Sequence, residues 1–543
     1  MKKLKKSNFL EGAFIATFCI IVTKILGVIY VIPFYDIIGE QGGTLYGYAY
    51  NIYNIFLIIS SAGIPMAISK LTSEYNSLNM EDKKTRMYQL ASKIIMIFSI
   101  VSFLICFIFA PQLSNLLIGT LEGGNKIEDV VFVIRLISFA LLVIPLLSIK
   151  RGYLQGHRYI LEPSISQILE QVARIAIILI GSYLCVYIFK LPIKYAVGIS
   201  VFAACLGGIA TYIYLSVITK KNEKQLGLNK KEIKNKKYDK EIIKKVITYS
   251  IPFIVINLAN SIYTFTDMVL IIRHLPKLGY TAMDTEFITS VFTTWGVKFV
   301  TILTSISTGL VISLIPNMVK DFTEKNIEKV NQNYNKCLKI IMLIVAPLAI
   351  FISVMSKSVW GVFYGVNKYG PMIIRYTIIV TIIDCLYTIL NSILQSFNER
   401  KMVYISVITG IILNIVLDVP FMYLFAKLNL PVYYGAITAS LTGVLVSNIM
   451  SIIFLKKKMN LNHQEIIKAI PRFILSAIIL ILSLSMFNKI LPVNSSSRLI
   501  QLLNVAISGL VSGGIYLIIN LKSIKTILPK KILDKLHIKN NIS

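Results

Sequence analysis

Residues 23–71 read TKILGVIYVIPFYDIIGEQGGTLYGYAYNIYNIFLIISSAGIPMAISKL, and this stretch decides the fold. Two apolar runs flank a glycine-rich turn, Gly39–Gly43, a pattern that predicts two helices crossing a bilayer. Lys24 falls about half-way along the first helix. A charge in hydrocarbon is costly unless it faces protein or water, which makes Lys24 a candidate functional residue. The second helix carries Tyr46, Tyr48, Tyr50 and Tyr53, breaks at Gly63-Ile64-Pro65, and leaves the membrane at Lys70 and Glu74. A break at that depth is tolerated where the backbone lines a cavity.

The rest of the chain repeats this pattern. Of its 543 residues 55% are hydrophobic and 15% charged, against about 25% charged in soluble domains. The expected class is therefore an all-α, polytopic integral membrane protein. The six cysteines lie in or beside apolar segments with no C-x-x-C spacing, so neither a zinc site nor a disulfide framework is expected. The start, MKKLKKSNFLEGAF, resembles the basic region of a signal peptide. The apolar run behind it is too long and is followed by more spans, so an uncleaved first helix is expected.

Fourteen spans are expected, near 10–37, 45–70, 91–118, 130–149, 165–189, 194–219, 246–272, 287–319, 337–356, 371–397, 402–426, 433–455, 469–488 and 499–521. The less uniformly apolar segments 287–319 and 371–397 are expected to tilt or kink. An even number places both termini on one side. With that side cytoplasmic, the inner segments hold about forty Lys and Arg and the outer loops about ten. The net charge of +30 is then mostly a topology signal, with lysines held near an anionic inner leaflet. No nucleic acid is expected as a partner, because 220–245, the largest basic cluster, has few aromatics and no folded platform. Asn125, in the outer loop 112–129, is expected to meet solvent.

A faint repeat relates the two halves. Tyr153-Leu154-Gln155-Gly156 corresponds to Ile393-Leu394-Gln395-Ser396, Ser166 to Ser406, and Lys70-Leu71-Thr72-Ser73-Glu74 to Lys320-Asp321-Phe322-Thr323-Glu324. The expected organisation is an N-terminal lobe (1–219), a basic cytoplasmic linker (220–245), a C-terminal lobe (246–456), an accessory helix pair against lipid (457–521) and a basic tail (522–543). Six spans per lobe give a parallel repeat, which is a transporter architecture.

Several charges remain inside the spans. Glu170 and Arg174 are four apart on one helical face and can pair. They form either a self-neutralised structural pair or a cavity wall offering Arg174 to a phosphate. Lys24 has no acid one turn away on its own helix, so it needs a partner from another helix or a ligand. Asn414 and Asp418 share a face of span eleven. With Asp267 in span seven they offer hard oxygen donors suited to a small cation such as Na⁺, or else they hydrogen-bond between helices. Asp384 has no local support for a role. No G-x-x-x-x-G-K-[ST] or H-E-x-x-H occurs, and the four histidines are scattered, so hydrolysis by this chain is not expected to drive transport.

The chain also carries a family resemblance. Lys24-Ile25-Leu26-Gly27, Ile32-Pro33-Phe34-Tyr35, Gly39-Glu40-Gln41-Gly42-Gly43 and Ala62-Gly63-Ile64-Pro65 resemble the lipid II flippases of the MurJ/MviN type. The same holds for Arg151-Gly152-Tyr153-Leu154-Gln155-Gly156-His157 and for Ser166–Arg174. That family lies in the multidrug/oligosaccharidyl-lipid/polysaccharide exporter superfamily, and the likeness is greatest to its YtgP-like branch. The match is specific in the first half and mainly one of hydropathy in the second. The resemblance implies substrate contacts at Lys24, Arg151, Gln155, Glu170, Arg174 and Lys298, with Lys24 meeting a diphosphate. It implies a sodium site at Asp267, Asn414, Asp418 and Ser440, with no other cofactor. The chain departs from the family where Tyr30 replaces a second arginine. It departs again where Thr294 and Trp295 replace an acid and an arginine, with Lys298 the nearest base.

The expected function is flipping of a polyprenyl-diphosphate-linked glycan, with the peptidoglycan precursor lipid II first, across the cell membrane by alternating access. The chain is not expected to be an enzyme. Its rivals are an ion-coupled multidrug exporter and a flippase for teichoic-acid, capsule or spore-cortex units. A membrane glycosyltransferase or polymerase would need a catalytic cluster that the short outer loops lack. A non-transporting scaffold has no use for so many embedded charges.

Overall fold

The computed structural model describes Leu4, Lys6 and residues 9–61, 63–119, 123–228, 238–491 and 497–525. The described residues are nearly all helical and contain no strand. Thirteen helices among them are long and apolar enough to cross a membrane. The protein is a multi-pass membrane protein, as hydropathy predicts.

One of the thirteen, Val31–Ser77, spans 47 residues. A straight helix of that length would measure about 70 Å, more than twice the hydrocarbon thickness. The backbone therefore has to break inside it, and it does so at Gly39 (φ 65°, ψ −170°), a conformation that requires glycine. Helical hydrogen bonds bridge Tyr30, from Tyr30 N to Leu26 O and from Phe34 N to Tyr30 O. The first span accordingly runs from Phe9 to the glycine, and the helix beyond Gly39 corresponds to the second expected span. The turn is narrower than the Gly39–Gly43 expected from sequence, because the helix resumes at once. A second break falls at Gly63, the N-cap of Ile64–Ser77.

Other irregularities follow the sequence less closely. The segment expected at 91–118 is two helices, Glu81–Ile108 and Ala110–Ile118. The one expected at 287–319 contains a π-helical turn at Val291–Trp295. By contrast, Tyr369–Ser396 is a single helix.

The chain divides into two compact units, Met1–Thr294 and Trp295–Ser543. Helix packing repeats between them. In the first unit Ile64–Ser77 packs on Ala140–Gly156, which packs on Ile193–Lys221, which packs on Leu161–Tyr183. In the second, Val297–Thr323, Tyr369–Ser396, Tyr433–Met459 and Arg400–Lys427 pair in the same order.

The motif Gly152-x-x-x-Gly156 has a packing reason. A Cβ on Gly152 would sit 2.6 Å from the Pro65 carbonyl, and one on Gly156 2.5 Å from Thr72. Small residues at this spacing let two membrane helices touch backbone to side chain. His157 then caps the helix. It is buried beside Asn76 (3.3 Å), and burial together with the Lys84 charge pushes its pKa down to about 3. It stays neutral at physiological pH, which excludes it as a proton carrier there.

At this end of the first unit, ion pairs tie neighbouring helices to Asp239–His274. Arg86 grips Asp239 with two bonds of 2.8 and 2.7 Å, and Lys245 reaches Glu74 at 3.0 Å. Part of the connection read from sequence as a basic linker is thus ordered helix, while 229–237 lie outside the described residues.

The last two helices, Gln464–Ile490 and Arg498–Lys525, pack together in the second unit. Gln501, Asn504, Ser508, Ser512 and Asn520 form a buried seam at helical spacing, with Ser512 Oγ 2.7 Å from Ser483 Oγ. Leu499, Leu502, Leu510 and Ile518 are exposed on the other face, as a lipid-facing surface requires. Polar residues of this kind join helices inside a bilayer, so the pair is docked by a built seam.

Candidate functional site

The helix Leu161–Tyr183 presents Glu170 and Arg174 one turn apart, and the structure pairs them. The Arg174 Nη2 donates to Glu170 Oε1 at 2.5 Å. A second arginine shares the carboxylate, since Arg151 Nη2 donates to Glu170 Oε2 at 2.9 Å and its Nε to Ser166 Oγ at 2.8 Å. The three side chains are between 13 and 22% exposed. One carboxylate against two guanidiniums leaves a cation in excess. Arg174 Nε is buried with no hydrogen-bond partner among the described residues, so the cluster retains both a net positive charge and a spare donor.

Tyrosines of the second span form the adjoining wall. Tyr46 and Tyr50 rings lie 4.4 Å apart and Tyr50 and Tyr53 5.9 Å apart. Tyr50 and Tyr53 are within electrostatic reach of Arg174. Tyr30, which stands where the resembled family has an arginine, is buried with its hydroxyl 3.4 Å from that of Tyr46. It joins the wall as a neutral group.

Lys24 is exposed on Phe9–Ile29. Its helix packs on Leu161–Tyr183, where a Cβ on Gly27 would come 3.3 Å from Gln171 Nε2. Gln171 follows Glu170 directly, so the first span lies along the helix bearing the charged cluster. Gln155 lies one turn beyond Arg151 on Ala140–Gly156. It lines an open groove of about 560 Å³ together with Lys70, Glu74 and Arg158. Lys298 belongs to the second unit, half-buried just after the π-turn. Trp295 is fully buried there, and its carbonyl accepts from Tyr364 (3.1 Å).

The expected cation ligands divide between the units. Asp267 is buried on Asp239–His274 in the first. In the second, Asn414 Nδ2 donates to Ser440 Oγ at 2.9 Å, and Asp418 sits one turn on with no exposed surface. A fully buried carboxylate beside an amide and a hydroxyl is an oxygen donor set that suits a hard monovalent cation. No group of three or more His, Cys, Asp or Glu gathers among the described residues.

Sequence reasoning missed Glu286. It is 4% exposed on Ala282–Ser290. Its carboxylate accepts from Asn125 N (3.0 Å), Asn125 Nδ2 (3.0 Å) and Tyr48 OH (3.3 Å), and its carbonyl from Thr44 Oγ1 (3.4 Å). A Cβ on Gly124 would fall 2.6 Å from the carboxyl carbon. Asn125, expected in solvent, is therefore buried under Glu286, because a buried carboxylate must be surrounded by donors.

Comparison with known proteins follows from this arrangement. The family model for polysaccharide biosynthesis proteins matches residues 9–320. The chain belongs to that family. A second model, MatE, matches residues 252–419. Among curated proteins of this kind, the chain is 30% identical over 481 residues to the lipid II flippase MurJ of Bacillus subtilis (strain 168), covering 87% of each. It is 22% identical to stage V sporulation protein B of the same organism, covering 67% of this chain and 68% of that one. The family fold recurs in solved structures at 14% identity. One is a lipid II flippase MurJ in an inward closed conformation, with a TM-score of 0.63 over 93% of this chain and 99% of that one. Another is an inward-facing multidrug resistance MATE family transporter, with a TM-score of 0.63 over 80% and 94%.

Proposed function

We propose that this polysaccharide-biosynthesis family member flips a polyprenyl-diphosphate-linked glycan, with lipid II first, across the cytoplasmic membrane by alternating access. The observation that carries the reading is the Arg151–Glu170–Arg174 cluster, a partly buried site with one cation in excess, in a chain related over 87% of its length to a lipid II flippase. A diphosphate leaving water needs cations, and a site that keeps one unneutralised supplies them without binding cationic drugs. Tyrosine hydroxyls and faces suit the sugar, while the polyprenyl tail stays in lipid. The relationship to a sporulation protein favours a second reading, in which the glycan is a spore-cortex variant on the same carrier. Teichoic-acid and capsule units share that chemistry. Purified chain in vesicles carrying fluorescent lipid II or another diphosphate-linked glycan tests the proposal. Lipid II is expected to become accessible to an impermeant quencher faster than in empty vesicles, and equal rates overturn the reading.

Alternating access gives the interhelical contacts a role. Asn125 lies in the connection between the third and fourth spans, and Asp239 at the end of the connection between the sixth and seventh. The two are on opposite membrane faces. Glu286–Asn125–Tyr48 lies toward one face, and Arg86–Asp239 with Lys245–Glu74 toward the other, all within the first unit.

In this reading both termini are cytoplasmic, from the lysine distribution. A cysteine at the exposed Lys126 should react with an impermeant thiol reagent in intact cells, and one at Asn222 should not. Cys185, the half-buried native thiol, is replaced by serine in the background. Labelling of Asn222→Cys from outside reverses the orientation.

Sodium is the proposed coupling ion, held in the second unit by Asn414, Asp418 and Ser440. Asp418→Asn should leave membrane insertion intact and reduce sodium-dependent flipping by about tenfold or more, the scale on which losing one charged ligand weakens a hard-cation site. A sodium dependence identical to wild type leaves these residues an interhelical hydrogen-bond role.

A further inference from the structure

Arg375 is an exposed base that the flipping site does not use. It lines a cleft of about 300 Å³ in the second unit with Lys357, Lys368, Asn367 and Gln501, and among the described residues no carboxylate lines it. Among the described residues none of its three bases forms an ion pair, whereas Lys339 pairs with Glu465 and Lys458 with Glu399 in the same unit.

The cleft is fixed by its backbone. The helix Ser356–Tyr364 ends at Gly365 with φ +76°, and Asn367 Oδ1 then accepts from Tyr369 N (2.8 Å) and Gly370 N (3.1 Å) to start Tyr369–Ser396. Lys368 lies over the Tyr369 ring at 5.1 Å, and the Arg375 carbonyl accepts from Ser353 Oγ at 2.8 Å. Gln501, 2% exposed, brings an amide from the last span. Three like charges lining one cleft raise a positive potential there that attracts an anion.

The surroundings identify the anion. Val366 (69% exposed) and Met372 (37%) rim the cleft with apolar surface. The loop joins the ninth and tenth spans, so the cleft lies at a membrane–water boundary, on the face opposite the N-terminus. Three exposed bases beside an apolar rim at that boundary fit a lipid whose head is a phosphate. We propose that this cleft binds the phosphate head group of a membrane lipid. Two sources share that chemistry: an anionic phospholipid of that leaflet and a prenyl diphosphate.

The test uses the full chain purified in detergent, with phosphatidylglycerol, farnesyl diphosphate and zwitterionic phosphatidylcholine as probes. Retained lipid is read by native mass spectrometry and the thermal midpoint in parallel. Wild type should bind phosphatidylglycerol or farnesyl diphosphate above phosphatidylcholine. The variant Lys357→Gln/Lys368→Gln/Arg375→Gln should bind about a hundredfold more weakly, as expected for three basic residues near a lipid head group. Lys357→Arg/Lys368→Arg/Arg375→Lys should bind as wild type, and the single variant Arg375→Gln should show a partial loss if the triple one is too unstable to purify. Preference for phosphatidylglycerol assigns the site to phospholipid, and preference for farnesyl diphosphate to the prenyl carrier. Equal binding of all three probes by wild type, or undiminished binding by the glutamine variants, overturns the proposal. Flipping of lipid II is measured separately, so loss of this site and failure of the transport reading are distinguishable.

Discussion

Glu170→Gln should cost about 1–3 kcal/mol of stability, the range for leaving a partly buried polar group without its partner. The carboxylate binds Arg151 and Arg174 at once, and glutamine keeps its shape while removing its charge. Two guanidiniums would then face each other at the same depth. The expected readout is a lower thermal midpoint of the purified chain, with less monodisperse protein recovered from membranes. Arg151→Met added to Glu170→Gln should recover part of the loss, because it removes one of the stranded cations. A double-mutant cycle with zero coupling would show that the carboxylate does not hold both arginines. Arg174→Met alone separates structure from transport. Glu170 would still hold Arg151, so stability should fall far less than in Glu170→Gln, while flipping should fall sharply because the excess cation is gone. Normal flipping by a stable Arg174→Met would confine the cluster to a structural role.

The membrane spans were legible because hydropathy is a local quantity. The expected 194–219 is Ile193–Lys221, and 402–426 is Arg400–Lys427. The Glu170–Arg174 pair was legible for the same reason, since i, i+4 spacing fixes a shared face. What escaped depends on partners far along the chain. Arg151 meets Glu170 across 19 positions, and Glu286 meets Asn125 across 161 and Tyr48 across 238. No periodicity announces such a contact. Glu286 also sits at the edge of an expected span, where an acid reads as a loop residue. The one available signal was Gly123-Gly124-Asn125 in the opposing loop, a stretch with room for a side chain to be received. The seam of Gln501, Asn504, Ser508 and Ser512 escaped for another reason: its 3- and 4-residue spacing was present, but it carries no formal charge to mark it.

Lys24→Met should abolish flipping while membrane expression stays near wild type, and Lys24→Arg should keep part of the activity. Methionine matches the length and apolar stem of lysine, so the comparison isolates the charge. A diphosphate moving into a site of low dielectric must be neutralised there, and Arg151–Glu170–Arg174 supplies a single excess cation. A second one on the neighbouring helix makes the site adequate for a dianion. Lys24 meets this need, exposed on the helix that packs along Leu161–Tyr183, with Gly27 against Gln171. A lysine sealed in hydrocarbon drifts toward the neutral form, so access to water or to an anionic ligand is part of this expectation. Arginine keeps the charge but spreads it over a planar fork, so partial activity is expected. Binding should also be visible directly, since Lys24 should react more slowly with an amine-directed reagent when lipid II is present. Residues on the opposite face of the helix should show no such change. Normal flipping by Lys24→Met removes Lys24 as the diphosphate contact and moves that role to Arg174 and Lys298.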